Sequence, residues 1–390
     1  MVRFLFAFLV CLTVMQSAPS LAEHAAHSKP QLATSAAFAA DGSLWIVGVE
    51  RRKLFVRRQL SNGSWQAPRV IDNAGEVVAT NGDNRPKIAF GPMGTVVITY
   101  TRPLAKPYTG EIRMLRSHDG GESFSAPFTV HQDRQIITHR FESLMFDARG
   151  DLYTVWIDKR DAERAWAAAN GDPDAYSGAA VYYNVSVDDG KTFGPDTKLA
   201  DYSCECCRIA MVSEPQQGIA VMWRHVFPGS VRDHAFARIS RTGASGLQRA
   251  SADQWVVKAC PHHGPGLAIA KTGGYHAVWF GDRAGKLRAR YGRLDQEGRP
   301  LGEAIDLPDQ LADHADVASV GGRVVIAWRV FDGERTHLRA WVSDDDGRSF
   351  RRVDLRSTHL ENDHPRLAAQ GNRIVVVWRT EHETHVEDFR

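Results

Sequence analysis

The chain has 390 residues, 43% of them hydrophobic, with 48 basic and 46 acidic side chains and a net charge of +2. Charge so evenly balanced excludes a whole-molecule field suited to nucleic acid or to a membrane surface, so any charge-based recognition must be local. The 33 glycines, 10 tryptophans and many valines suit an all-β chain better than a helical one, and no Pro/Ser-rich linker divides residues 23–390, which read as one domain.

At the start, Arg3, the apolar run from Phe4 to Val14 and then Ser20-Leu21-Ala22 read as a secretory signal over residues 1–22, cleaved after Ala22. The expected location is therefore the periplasm or the medium. Cys11 lies in the apolar run and leaves with it, and Phe8-Leu9-Val10 makes a poor lipobox. No later stretch approaches the roughly 20 apolar residues that a membrane span requires.

From Leu32 onward one element recurs: a short apolar strand, a glycine turn, then a stronger apolar strand that usually ends in Trp. The copies are LATSAAFAADGSLWIVGVE from Leu32, RPKIAFGPMGTVVITYTR from Arg85, RFESLMFDARGDLYTVWIDKR from Arg140 and CRIAMVSEPQQGIAVMWRH from Cys207. GPGLAIAKTGGYHAVWFGDR from Gly264, HADVASVGGRVVIAWRV from His314 and HPRLAAQGNRIVVVWRT from His364 complete the series. Copies begin 50 to 67 residues apart, the length of a four-stranded blade with its loops, and such self-similarity marks an all-β propeller. Seven starts favour seven blades. The last copy has room for three strands, so a fourth would have to come from residues 23–30; failing that, six blades and an extra hairpin is the alternative. The segment Asp161–Ser177 lengthens the third blade and reads equally as a lid or as a solvated loop.

Ser-x-Asp-x-Gly-x-x-Phe occurs three times: Ser117, Asp119, Gly121, Phe124; Ser186, Asp188, Gly190, Phe193; and Ser343, Asp345, Gly347, Phe350. Ser and Asp oxygens can hold turn amides, Gly takes the positive-φ position and Phe returns to an apolar interior. Each copy follows a β-rich run, as at the tip of a hairpin. The pattern resembles the Asp-box, or bacterial neuraminidase repeat, of the sialidase superfamily of β-propellers. The box is a structural turn, so the resemblance speaks for fold far more than for activity.

In a propeller, the loops entering each innermost strand and those leaving each second strand emerge on one face, opposite the Asp-box turns. The entry loops supply Arg85, His139, Arg140, Arg208, His314, Asp316, Asp363, His364 and Arg366. The exits supply Arg102, Asp158, Lys159, Arg160, Arg224, His225, Asp282, Arg283, Arg329, Arg379 and Glu381. Arginine grips carboxylates through paired hydrogen bonds, so Arg85, Arg140, Asp158, Arg160, Arg208, Arg224, His225 and Arg366 are the expected contacts of an acidic glycan or other small anion. The competing expectation is that each Arg merely bridges blades through loop carbonyls. Trp156, Trp223, Trp279, Trp328 and Trp378 read as packing between blades.

The superfamily resemblance implies a neuraminidase with three carboxylate-binding arginines, a Tyr nucleophile and an Asp acid/base. The chain departs from it twice. Ser28-Lys29-Pro30-Gln31 lacks the Arg that opens the first blade, which Arg85-Pro86-Lys87 resembles one blade later. The last tyrosine is Tyr291, in the fifth repeat, so hydrolysis would need a displaced phenol such as Tyr100 or Tyr176. A non-hydrolytic ligand-binding relative is expected over an exo-α-sialidase or related glycoside hydrolase.

Beyond Cys11, all the cysteines fall in two adjacent entry loops: Cys204, Cys206 and Cys207 in one, Cys260 with His262 and His263 in the other. In an oxidising compartment an even count predicts disulfides, one of them linking Cys206 or Cys207 to Cys260. The rival reading is a copper or zinc site, or a reactive thiol beside Arg208, since thiolate-rich sets suit Cu(I) or Zn(II). His24 and His27 add weak support. The sequence names no protein partner.

Overall fold

The computed structural model describes residues 31–389 except Ser61 and Gln217. The signal segment, His24, His27 and the strand expected from residues 23–30 lie outside the described residues. Seven antiparallel sheets follow one another in chain order, each strand pairing with its sequence neighbour except Gln248–Arg249, which pairs with His234–Ser240. Their innermost strands are Thr34–Phe38, Lys87–Phe90, His139–Phe146, Ala210–Glu214, Gly266–Ile269, Asp313–Val320 and Arg366–Gln370. Each neighbours the next, and Arg366–Gln370 returns beside Thr34–Phe38, so the ring closes with seven blades. The first six blades have at least four strands; the seventh has three among the described residues, ending with Thr384–Phe389.

Sequence and burial agree strand by strand. Second strands such as Leu152–Asp158 and Gly218–Arg224 are buried along their whole length, because a neighbouring blade covers each face. They accordingly read as continuous apolar runs, whereas the outermost strand Pro300–Asp306 is largely exposed and interrupts its apolar residues with Glu303 and Asp306. Each apolar cluster spans two consecutive blades: Trp45 and Ile98 belong to one, Val97 and Trp156 to the next. The cluster of Leu44, Ile46, Ala368 and Val375 joins blade seven to blade one. Trp156, Trp223, Trp279, Trp328 and Trp378 are all buried between blades, as expected. Four of these indoles donate to a fixed acceptor: Asp158, Asp253, Asp309 and the Asp363 carbonyl.

The three Ser-x-Asp-x-Gly turns fold alike, each after the third strand of its blade. Ser117 Oγ donates to Asp119 at 2.7 Å and accepts the Gly121 amide at 2.8 Å. Ser186 repeats this with Asp188 and Gly190, and Ser343 with Asp345 and Gly347. The glycines have φ of +89°, +80° and +79°, the left-handed region where a Cβ is costly.

The expected insertion in blade three is a helix, Arg160–Ala168, followed by a short 3-10 turn. Tyr182 Oη donates to Asp161 at 2.7 Å and Ala162 is fully buried, so the segment is docked rather than a free lid. Among the described residues no helix is long and apolar enough to cross a membrane.

Candidate functional site

The inner strands wall an axial channel of 410 Å³, charged where they begin, at Asp83, Arg85, Lys87, Arg208, Asp316 and Arg366, and apolar toward Phe90, Phe146 and Met211. Asp83, which sequence reasoning missed inside a turn-rich Asn-Gly-Asp-Asn run, is the hub of the charged end. Burial alone would raise its pKa, but Arg366, His364 and Arg208 outweigh burial and hold it well below the usual carboxylate range. Arg85, 1% exposed, donates to both oxygens of Asp363 at 2.8 and 2.9 Å, to the Thr34 carbonyl at 2.7 Å and to Gly82 at 3.0 Å. Arg208 donates to the Pro265 and Ala315 carbonyls and Arg366 to Asp83. These three arginines converge on the axis as expected, but their guanidinium groups are taken up by the protein.

The exit-loop residues are committed as well. Arg160 is paired with Asp158 and Asp196, each at 2.7 to 2.8 Å, and Asp158 also accepts the Trp156 indole. Arg224 donates to the carbonyls of Arg232, His263 and Phe280, bridging blades four and five. His225 packs edge-on against Phe227, and burial lowers its pKa to about 4. Arg140 lies over the Phe141 ring beside Cys206. The anion-gripping rim expected from the sequence is thus largely a set of inter-blade clamps, because guanidinium groups buried between loops satisfy themselves on carbonyls that have no strand partner.

The cysteines come together without disulfides. Cys204 Sγ lies 3.8 Å from Cys206, 3.7 Å from Cys207 and 4.0 Å from Cys260, and Cys206 is 4.0 Å from Cys207. A disulfide requires about 2.05 Å, so the expected bridges are absent among these four free thiols. Arg232, which the sequence did not single out, donates to Cys204 Sγ at 3.3 Å. Thiol donors from Cys206, Cys207 and Cys260 lower the Cys204 pKa well below the usual thiol range, and Cys204 in turn pushes Cys260 up to about 11. The cluster is built into the core: Cys204, Cys206 and Cys207 are buried among Phe141, Ile157 and Trp223. The histidines expected beside them go elsewhere. His262 is exposed, and His263 stacks on His314 with ring centroids 4.3 Å apart, so neither joins the sulfurs.

Beside the sulfurs opens a cleft of 630 Å³ between the blade-three insertion and the second exit loop of blade four. Trp166, Tyr176, Tyr202 and Phe227 line it, together with Glu205, Arg232 and Lys258. Arg232 therefore touches both the cleft and the Cys204 sulfur. The phenols considered as displaced nucleophiles are unsuited to that role. Tyr100 is fully buried and donates to Glu76 at 2.7 Å; burial and that carboxylate both push its ionisation upward. Tyr176 is bonded to Asp201 at 2.8 Å and raised for the same two reasons.

No protein-family model matches the chain, and no curated protein matches it in sequence. Solved structures similar in fold include a family PL25 ulvan lyase, solved bound to -[GlcA(1-4)Rha3S]-, at 12% identity and TM-score 0.55 over 93% of this chain and 92% of that one. Others are the polysaccharide lyase Uly1, at 10% identity and TM-score 0.54 over 89% and 88%, and the Hadza microbial sialidase Hz136, at 12% identity and TM-score 0.50 over 88% and 76%. The fold is that of the sialidase-like β-propellers, shared by sialidases and polysaccharide lyases.

Proposed function

We propose that this chain is an exported, non-hydrolytic propeller that binds a soft metal ion, Cu(I) or Zn(II), through Cys204, Cys206, Cys207 and Cys260. The observation that carries the reading is the spacing of Cys204, Cys206 and Cys207, whose sulfurs lie 3.7 to 4.0 Å apart without a bond between them, with Cys260 4.0 Å from Cys204. A tetrahedron with metal–sulfur bonds of about 2.3 Å has sulfur–sulfur edges of about 3.8 Å, so Cys204, Cys206 and Cys207 make one face of it, and Cys260 would close in from the Cys204 edge on binding. Arg232 and Arg140 beside the sulfurs offset the negative charge that a thiolate-bound ion retains. Elemental analysis and thiol counting on protein purified without chelator test it. One tightly held copper or zinc per chain, lost in Cys260→Ser, is expected. Absence of both metal and titratable thiol would make the cysteines disulfide staples and overturn the reading, and hydrolysis of a sialyl reporter would overturn its non-hydrolytic part.

A second reading rests on the aromatic cleft. Four aromatic rings with Arg232 and Lys258 suit stacking of sugar rings and pairing with a uronate, and proteins of similar fold include a lyase solved with a GlcA-containing glycan. Calorimetry with uronate-containing oligosaccharides is expected to show binding that Lys258→Ala weakens about tenfold; wild-type protein that binds none of them would remove this reading.

A further inference from the structure

At the mouth of the axial channel a second group of ligating atoms stands apart from the sulfurs. Ligand atoms of Asp83, His314 and His364 lie within 4.8 Å of one another. Asp83 Oδ1 is 3.6 Å from His364 Nδ1, and the His314 and His364 rings stack with centroids 3.3 Å apart. The side chains are 1%, 9% and 11% exposed. In this buried setting the Nδ1 atoms of His314, His364 and the neighbouring His263 all lack a protein hydrogen-bond partner. Buried polar atoms are nearly always satisfied, and two orphaned imidazole nitrogens beside one carboxylate, with a third on the ring stacked behind them, call for an occupant.

A cation is the occupant whose chemistry fits. A metal ion can accept a lone pair from one nitrogen of each imidazole and from the carboxylate at once. Of the nearby guanidinium groups, Arg85, Arg208 and Arg329 have carboxylates of their own in Asp363, Asp316 and Asp313, while Arg366 shares Asp83 with the site.

We propose that Asp83, His314 and His364 form a second metal site at the propeller axis, for a borderline divalent ion of the Zn(II) class, with His263 in reserve as a further ligand. Two imidazoles and a carboxylate are the donor set that such ions take, in contrast to the all-sulfur set in blade four. The stacked rings must part for both nitrogens to reach one ion, so binding breaks the His314–His364 stack. The site does not depend on the thiolate reading.

Cobalt(II) separates the two, because sulfur ligation gives intense near-ultraviolet charge-transfer bands and nitrogen/oxygen ligation gives only weak visible bands. Titration of the full chain under reducing conditions is expected to fill a sulfur-free equivalent in the wild type. His364→Phe, which keeps the ring in the stack but removes the nitrogen, is expected to lose that equivalent, and His314→Gln to weaken it at least tenfold. Circular dichroism reports whether each variant folds, and any thiolate band retained in them shows that only the axial site was lost. A wild type with no sulfur-free equivalent, or folded His364→Phe and His314→Gln that both bind it undiminished, would overturn the proposal. If the thiolates hold no cobalt, the axial equivalent is simply the sole one, and the same variants test it.

Discussion

At the scale of single residues, the molecule invests heavily in buried titratable groups, and this sets its response to pH. His276 is fully buried, with Nδ1 2.8 Å from Tyr291 Oη and Nε2 3.1 Å from Asp346. Burial and the Arg293 charge lower its pKa to about 4 against the opposing pull of Asp346. An unfolded histidine titrates near 6.5, so between pH 6.5 and 4 the unfolded chain takes a proton that the folded chain refuses. Stability therefore falls as pH drops through that window and, on this account, stops falling below it. The loss is on the order of 1 to 3 kcal/mol for one such residue. His225, also lowered to about 4, acts in the same direction, whereas Asp346, lowered to about 2, takes over in more acidic solution. Urea midpoints at pH 7 and pH 5 should lie closer together in His276→Gln than in the wild type; an unchanged gap would mean that other groups carry the acid limb.

At the scale of elements, the Ser-x-Asp-x-Gly turns show how one local pattern also serves packing. The Gly347 φ is +79°, and a Cβ there would run into the Tyr291 hydroxyl of the preceding blade. Gly347→Ala must adopt a left-handed conformation and displace a buried phenol, which together cost about 2 to 4 kcal/mol. Ser343→Ala removes only the hydroxyl that holds the Gly347 amide at 2.9 Å, which costs about 1 to 2 kcal/mol. Thermal unfolding of the two variants should rank them in that order; a larger loss in Ser343→Ala would show that the turn's hydrogen bonds outweigh its fit against blade five. The same economy appears at Gly121, whose missing Cβ leaves room for the Trp45 ring of blade one.

At the scale of the whole molecule, the ring closes through side chains and core packing. The two ends share no strand among the described residues. Instead Asp363, just before the inner strand of blade seven, accepts the Thr34 amide at 2.9 Å and both prongs of Arg85 from blade two. Gln370 and Arg379 donate from blade seven to the Ala39 and Val49 carbonyls of blade one, each at 2.9 Å. Asp363→Ala would leave Arg85 buried without its counter-charge and cost about 3 to 5 kcal/mol. Chemical denaturation of that variant checks it, and a loss below about 1 kcal/mol would place closure in the apolar seam of Leu44, Ala368 and Val375 instead.

What the sequence determined by itself was whatever repeats: the seven strand pairs, the three glycine turns and the buried Trp series, because local periodicity and turn chemistry need no distant partner to be read. It also placed Cys204, Cys206, Cys207 and Cys260 in adjacent loops. Only the tertiary structure decided which groups are spent and which are left over. Arg85, Arg160, Arg208 and Arg224 look alike in sequence to ligand-gripping arginines, yet each is held by protein acceptors, for Arg85 as far as 278 residues away. Asp83 and the meeting of His314 with His364 escaped a reading along the chain because their partners come from other blades, and Arg232 because its sulfur partner Cys204 lies 28 residues away in another loop. Hydrogen-bond satisfaction is a property of the closed ring, so the unspent sulfurs and imidazoles, and with them the candidate metal sites, become visible only once every blade is in place.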